Sequence, residues 1–243
     1  MRIPRIYHPE ALAPGLTIDL HAEAARHVAR VLRMTADMPL VLFDGSGGEY
    51  GAVIGTVDRG RVTVTLKSFV ADGRESPLHT TLAQGISRGE RMDYTLRKAV
   101  ELGVSAIQPL FTEYCQVQLK GERLDKRMAH WRGVVIAACE QSGRNRIPPL
   151  HTPCSLPEWL QRLPSGLHLA LDPRAAGGIL QLATPATPVS LLVGPEGGLS
   201  ENEMDLLRRA GYLGIRLGPR ILRTETAALA ALAALQSRWG DMS

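Results

Sequence analysis

Residues 191–203 read LLVGPEGGLSENE. An aliphatic run enters Gly194-Pro195-Glu196-Gly197-Gly198 directly, and a polar cluster follows. The run has the make-up of a buried strand. Pro195 fixes its own φ, while Gly197 and Gly198 accept positive φ and let a ligand touch the main chain. Ser200 followed by Glu203 is a capping box, so a helix starts at about Glu201 and ends near Ala210, with Gly211 just beyond it. Strand, stiff glycine loop and helix N-terminus together are the arrangement with which open α/β sheets hold ligands at the carboxyl ends of their strands. The commoner phosphate loops do not fit. A P-loop needs a lysine that is absent here, and the Gly-x-Gly-x-x-Gly dinucleotide fingerprint has another spacing and another place in the chain.

A second loop of the same kind follows. YLGIRLG reads as the last strand, and LGPRILRTETA, residues 217–227, leads from it into TETAALAALAALQSRW, a helix with Thr224 as its expected N-cap. Two such loops, closing two successive strands, are expected to meet. They would form a wall of backbone groups around a flat, mostly uncharged heterocycle such as adenine, with Leu217, Ile221 and Leu222 as apolar faces. Arg220 and Arg223 bring positive charge to the rim, although each alone reads as a surface ion-pair partner. The stripe Leu229, Leu232, Leu235, Trp239 on the last helix fits a core helix, a dimer seam, or both.

Upstream, strands and helices alternate. LHTTLAQGIS, VSAIQPLF, GLHLALD and VSLLVG read as strands. GERMDYTLRKAVELG reads as a helix stopping at Gly103, a long helix runs from about Arg123 to Ser142, and PEWLQRL is a short one. Continuously apolar strands alternating with helices predict an α/β fold on a parallel sheet covered on both faces. The first third differs. HAEAARHVARVLRM is helical, and LVLFDG, GAVIGTV and RVTVTLKSFV are short β-rich runs divided by turn residues, as in a small barrel or curled sheet. ADGRESP, residues 71–77, is the best linker, giving expected domains 1–72 and 73–243.

The chain has 243 residues, 44% hydrophobic and 21% charged, ordinary values for a globular protein. No apolar run approaches the roughly 18–20 residues of a membrane span, and the prolines and charges of the first 15 residues do not suit a signal peptide. A cytoplasmic location is expected. Cys115, Cys139 and Cys154 form no Cys-x-x-Cys pair, and the seven histidines offer no metal spacing, so neither a disulfide framework nor a metal site is expected. The net charge is +4. Residues 1–75 carry nine basic and nine acidic side chains, whereas residues 84–150 carry eleven basic and seven acidic ones. Most of the basic residues are arginine, whose planar fork suits phosphate, so a polyanionic partner is one reading and a compositional bias the other.

At these loops the chain resembles the RsmE family of SPOUT-class RNA methyltransferases. LLVGPEGGLSENE and LGPRILRTETAALAAL carry the likeness, with RIPRIYHP, HVARVLRM, RESPLH, SRGERMDYTLRKAVELGV and AACEQSGRNRIPPL. It runs from Met1 to the last helix. The resemblance implies a small PUA-like β-barrel domain for RNA binding followed by a SPOUT methyltransferase domain whose parallel sheet ends in a C-terminal trefoil knot. It also implies a homodimer, S-adenosylmethionine as donor, and N3 of a uridine in the decoding region of 16S rRNA, free or in the small ribosomal subunit, as acceptor. Carried onto this sequence, the cofactor lies among the loop after Leu171, Gly194, Pro195, Glu196, Gly197 and Gly198, and the stretch Leu217, Gly218, Ile221, Leu222 and Arg223. Uracil N3–H is a weak acid. Arg223 is the candidate for stabilising charge on O2 and O4, while Glu225 and Glu196 are candidates for a base and equally for loop-bracing roles. Arg2, Arg5, Arg30, Arg33, Arg88, Arg91, Arg144 and Arg146 are the candidates for tracking RNA phosphates, around a base splayed out of its stack. Two other readings stand beside this one: a non-catalytic RNA-binding or assembly factor on the same fold, and the same chemistry on another RNA.

Overall fold

The computed structural model describes residues 3–58, 60–71, 73–185 and 187–242; Arg2 lies outside them. By its internal contacts the chain divides into two units, Met1–Glu75 with Cys139–Ile147, and Ser76–Ala138 with Pro148–Ser243.

In the first unit β1 (Arg5–Tyr7), β2 (Thr17–Asp19), β3 (Pro39–Phe43), β4 (Glu49–Asp58) and β5 (Arg61–Val70) form one sheet in the order β1-β3-β4-β5-β2. β1 runs parallel to β3 and the other pairs are antiparallel. Side chains alternate across each strand, so Tyr50, Ala52 and Ile54 of β4 and Val62, Val64 and Leu66 of β5 are buried. They share one core with Ala24 and Ala25 of α1 (Ala22–Arg26) and Val28 of the π-helical turn His27–Val31 that follows. Register shifts at Gly51/Ala52 and Ile54/Val57 mark bulges, which sharpen the local twist. Among the described residues no ladder joins β1 to β2, so these two are the sheet's edges.

The same unit corrects two expected RNA contacts. Arg5 has a side chain only 6% exposed and pairs with Glu49. It also donates to Asn145 Oδ1 and lies over the Phe43 ring at 5.2 Å. Arg144, with 5% of its side chain exposed, pairs with Glu75. A guanidinium this buried and neutralised has little left to offer a phosphate. These two are internal cross-links that tie residues 139–147 to β1, β4 and Glu75, reinforced by the Tyr7 N–H donating to Glu140 at 2.9 Å. Burial pushes the Glu49 carboxyl up, but the Arg5 guanidinium outweighs this and holds it below its ordinary value.

The second unit is a mixed α/β body on a parallel sheet. Its elements are β6 (Thr80–Gly85), α2 (Glu90–Glu101), β7 (Ala106–Phe111), α3 (Gly121–Ser142, its last turn grouped with the first unit), β8 (Cys154–Ser155), α4 (Leu156–Gln161), β9 (Leu167–Leu171), β10 (Val189–Val193), α5 (Glu201–Arg209), β11 (Leu213–Ile215) and α6 (Thr224–Trp239). The six strands are all parallel, in the order β11-β9-β10-β6-β7-β8. Every residue of β10 is buried, and so is all of β6 except Thr81, as a sheet covered on both faces requires. On one side Trp159 of α4 donates from Nε1 to the Tyr212 hydroxyl at 2.9 Å, inside a cluster with Leu156, Leu192, Met204 and Leu207. On the other, Ala228, Ala231, Leu232 and Leu235 of α6 are fully buried, and α6 packs on α2 and β10.

β10 and β11 follow one another in the chain but are not adjacent in the sheet, because β9 lies between them. β11 also stops at Ile215, two residues short of Leu217, and the longer connection is fastened by the Arg216 N–H to Gly177 O at 2.9 Å. Among the described residues, no helix is long and apolar enough to cross a membrane, and no group of three or more His, Cys, Asp or Glu is gathered to hold a metal ion.

Candidate functional site

At the carboxyl edge of the parallel sheet, the loops after β9, β10 and β11 surround a cavity of about 750 Å³. Leu171, Gly194, Pro195, Glu196, Gly197, Gly198, Ile221, Leu222, Arg223 and Glu225, all expected from the sequence, line it. Leu217 and Gly218 do not; with the strand ending at Ile215 they sit ahead of the part of the loop that reaches the cavity. Asp172, Pro173, Arg174, Tyr114, Met204 and Arg91 also line it. Asp172, Pro173 and Arg174 are the loop after Leu171 in which the cofactor is expected; Tyr114, Met204 and Arg91 are not expected at the cofactor from the sequence.

Glycine is needed here for close approach. A Cβ on Gly194 would stand 2.9 Å from the carbonyl carbon of Gly198, and one on Gly197 would stand 2.7 Å from Cβ of Tyr114. A Cβ on Gly85, at the end of β6, would lie 2.5 Å from the Pro195 nitrogen. Gly198 alone uses left-handed freedom, with φ +73°, closing a turn by its N–H to Pro195 O at 2.9 Å. Main chain against main chain thus shapes the wall of the cavity.

The loops are also tied to one another. Thr224, expected as the N-cap of α6, is instead its first residue; Arg223 is the cap and makes no capping hydrogen bond with its side chain. The Thr224 hydroxyl donates to Gly194 O at 2.6 Å and accepts from Nε2 of the fully buried Gln84 at 3.0 Å. It therefore joins the β11 loop to the β10 loop and both to β6. Asp172 accepts the Arg174 N–H at 2.9 Å, and Arg174 pairs with Glu201 in the first turn of α5. Glu203 completes the capping box with Ser200 through Oε2, and its Oε1 accepts the Glu113 N–H at 2.8 Å, which draws the β7 loop to α5. Glu196 accepts from the Arg88 N–H and from Arg91, each at 2.9 Å. Burial pushes its carboxyl up, but those donors outweigh the effect and hold it below its usual range. A carboxylate so engaged braces a loop and is a poor base.

Three groups at the cavity have nothing to bind. Ile221 is 87% exposed, a large apolar side chain at a pocket rim that a ligand would cover. Glu225 has a buried Oε2 without a hydrogen-bond partner among the described residues. Arg223 is exposed, and among the described residues its guanidinium makes no hydrogen bond or ion pair. Of the other arginines expected at RNA, Arg30, Arg33, Arg88, Arg91 and Arg146 are exposed.

Thr224→Ala is expected to lower stability in urea by about 1–3 kcal/mol, because it leaves the Gly194 carbonyl and a Gln84 N–H buried and unpaired. Thr224→Ser should restore most of the loss. An unchanged denaturation midpoint would show that the hydroxyl carries no such bond.

A family model described as an RNA methyltransferase domain matches residues 74–236, and one described as an RNA methyltransferase PUA domain matches residues 20–67. A ribosomal RNA small subunit methyltransferase E from Buchnera aphidicola is 37% identical over 243 residues, covering 100% of this chain and 99% of that protein. A protein of the same name from Mycobacterium bovis is 35% identical over 88% of this chain and 84% of its own. Among solved structures, a methyltransferase from Legionella pneumophila in complex with the cofactor SAM superposes with a TM-score of 0.97 at 43% identity, covering 99% of this chain and 100% of that one. A ribosomal RNA small subunit methyltransferase E from Neisseria gonorrhoeae bound to S-adenosylmethionine gives 0.94 at 42% identity over the whole of both chains.

Proposed function

The chain belongs to the ribosomal RNA small subunit methyltransferase E family, and from that premise we propose that it methylates N3 of a uridine in the decoding region of 16S rRNA. It is an rRNA methyltransferase with S-adenosylmethionine as methyl donor. The observation that carries the reading is the three-loop cavity walled by peptide groups.

The residues present fit that donor. The glycine wall admits a flat purine whose edge peptide groups can read, Ile221 and Leu222 offer it apolar surface, and the unpartnered Oε2 of Glu225 offers an acceptor to a hydroxyl or ammonium group. Bound there, S-adenosylmethionine supplies an electrophilic sulfonium methyl. The protein's part is to hold the acceptor nitrogen in line and to stabilise charge on the uracil oxygens as N3 loses its proton. Arg223, whose guanidinium has no partner among the described residues, is a cation in place for the second task. Glu225 is the better placed of the two glutamates to accept a proton, because Glu196 is committed to Arg88 and Arg91.

The same reading includes a homodimer, a knotted C-terminal segment and a cytoplasmic location. The knot is supported by the strand order β11-β9-β10, after which α6 returns across the sheet to β10 and α2. The dimer is supported by Leu229 and Trp239, which stay half-buried on a helix whose other large apolar residues are covered. Arg30, Arg33, Arg88, Arg91 and Arg146 remain as RNA contacts. Mass mapping of 16S rRNA from cells lacking this protein tests the function: one N3-methyluridine should vanish and return with the wild-type gene. Unaltered rRNA would refute the proposed target.

A further inference from the structure

We propose that the cavity of about 520 Å³ lined by Glu113, Tyr114, Cys115, Gln116 and Gly197 seats the acceptor base, with the Tyr114 ring as its stacking platform. The inference rests on the function proposed above. In-line transfer needs the acceptor nitrogen within about 3–3.5 Å of the methyl carbon, so the base must occupy space that opens onto the donor's cavity. This second cavity adjoins the donor's, because Tyr114 and Gly197 line both. Their common wall is thin, since Gly197 has no side chain and its backbone lies against the Tyr114 Cβ.

Tyr114 is 47% exposed, yet the backbone on both sides of it is pinned. The Glu113 N–H donates to Glu203 at 2.8 Å, the Cys115 N–H closes a turn on Thr112 O at 3.0 Å, and Cys115 Sγ faces Ile86 O. An aromatic carried on a pinned backbone stands at the mouth of the pocket before the ligand arrives, and any base offers it a π-face. Beside it, the exposed Gln116 carries an amide able to donate to a uracil carbonyl and accept from an N–H.

The experiment compares full-length wild type, Tyr114→Ala and Tyr114→Phe on small ribosomal subunits purified from cells lacking this protein. Alanine keeps the Cβ that touches Gly197, so the glycine loop keeps that contact although Tyr114 also lines the donor cavity. Loss of one stacked base predicts a fall of about ten- to a hundredfold in kcat/KM for subunits. S-adenosylmethionine affinity by calorimetry should stay within about twofold of wild type and the oligomeric state should be unchanged, while Tyr114→Phe, which keeps the ring, should recover most of the loss. Full activity of Tyr114→Ala in the presence of an active wild type overturns the platform alone. So does a loss of donor affinity as large as the loss of activity, or a change of oligomeric state. A wild type that binds the donor but methylates no subunit overturns the functional reading, and the platform with it.

Discussion

Gly197→Val is expected to lower S-adenosylmethionine affinity by up to about a hundredfold while leaving the fold intact. The added Cβ would sit 2.7 Å from the Cβ of Tyr114 and 3.4 Å from its carbonyl oxygen, and neither is the loose end of a flexible side chain. Tyr114 cannot yield easily, because the neighbouring Glu113 N–H is held by Glu203. The β10 loop must therefore move, and at its other end Pro195 is already against Gly85, where a Cβ would stand 2.5 Å from the proline nitrogen. Overpacking of this kind amounts to about 1–3 kcal/mol, and valine's branched Cβ removes rotamers that would ease it. At about 1.4 kcal/mol per factor of ten, such a cost lowers donor affinity about five- to 150-fold. Isothermal calorimetry on the variant, with a thermal melt to establish that it is folded, decides the matter. Wild-type affinity would mean that the donor does not use this loop.

How much of this was readable in advance follows the range of each interaction. The glycine loop, the capping box of Ser200 and Glu203, the break at Gly211 and the buried parallel strands all depend on residues within a few positions of one another, and the sequence shows them directly. The order of β9, β10 and β11 depends on which strand edge the chain returns to, which no local pattern encodes. Arg5 and Arg144 looked like free cations because their partners Glu49 and Glu75 lie 44 and 69 residues away. Thr224 read as a cap because Thr before a helix usually is one; its hydroxyl was claimed by Gly194, 30 residues back. Gln84 is a polar residue deep in the apolar run of β6, and a buried amide must find partners. Tyr114 gave no signal, since an exposed tyrosine in a loop has neither periodicity nor a partner to betray it.

The second large effect is expected from Arg223→Ala: a fall of about 10²–10³ in the methyl-transfer rate, equivalent to about 3–4 kcal/mol of transition-state stabilisation, with donor affinity unchanged within about twofold. The argument rests on a contrast between neighbours. Thr224 is buried and fixed between Gly194 and Gln84, so the backbone that carries Arg223 is held on the donor cavity. Its guanidinium, by contrast, has no partner among the described residues, and the helix it precedes takes no capping bond from it. A cation left free on a fixed stem at a ligand pocket is available to the charge that develops there. That charge appears on the uracil oxygens only as N3 is deprotonated, so its stabilisation belongs to the rate and not to donor binding. Arg91 and Arg174, the other arginines lining this cavity, are already engaged, the first with Glu196 and the second with Asp172 and Glu201, and are less able to substitute. Single-turnover transfer under saturating donor separates the two contributions. Near-normal turnover of Arg223→Ala would remove the residue from the chemistry, while a loss confined to donor affinity would move it into the cofactor wall.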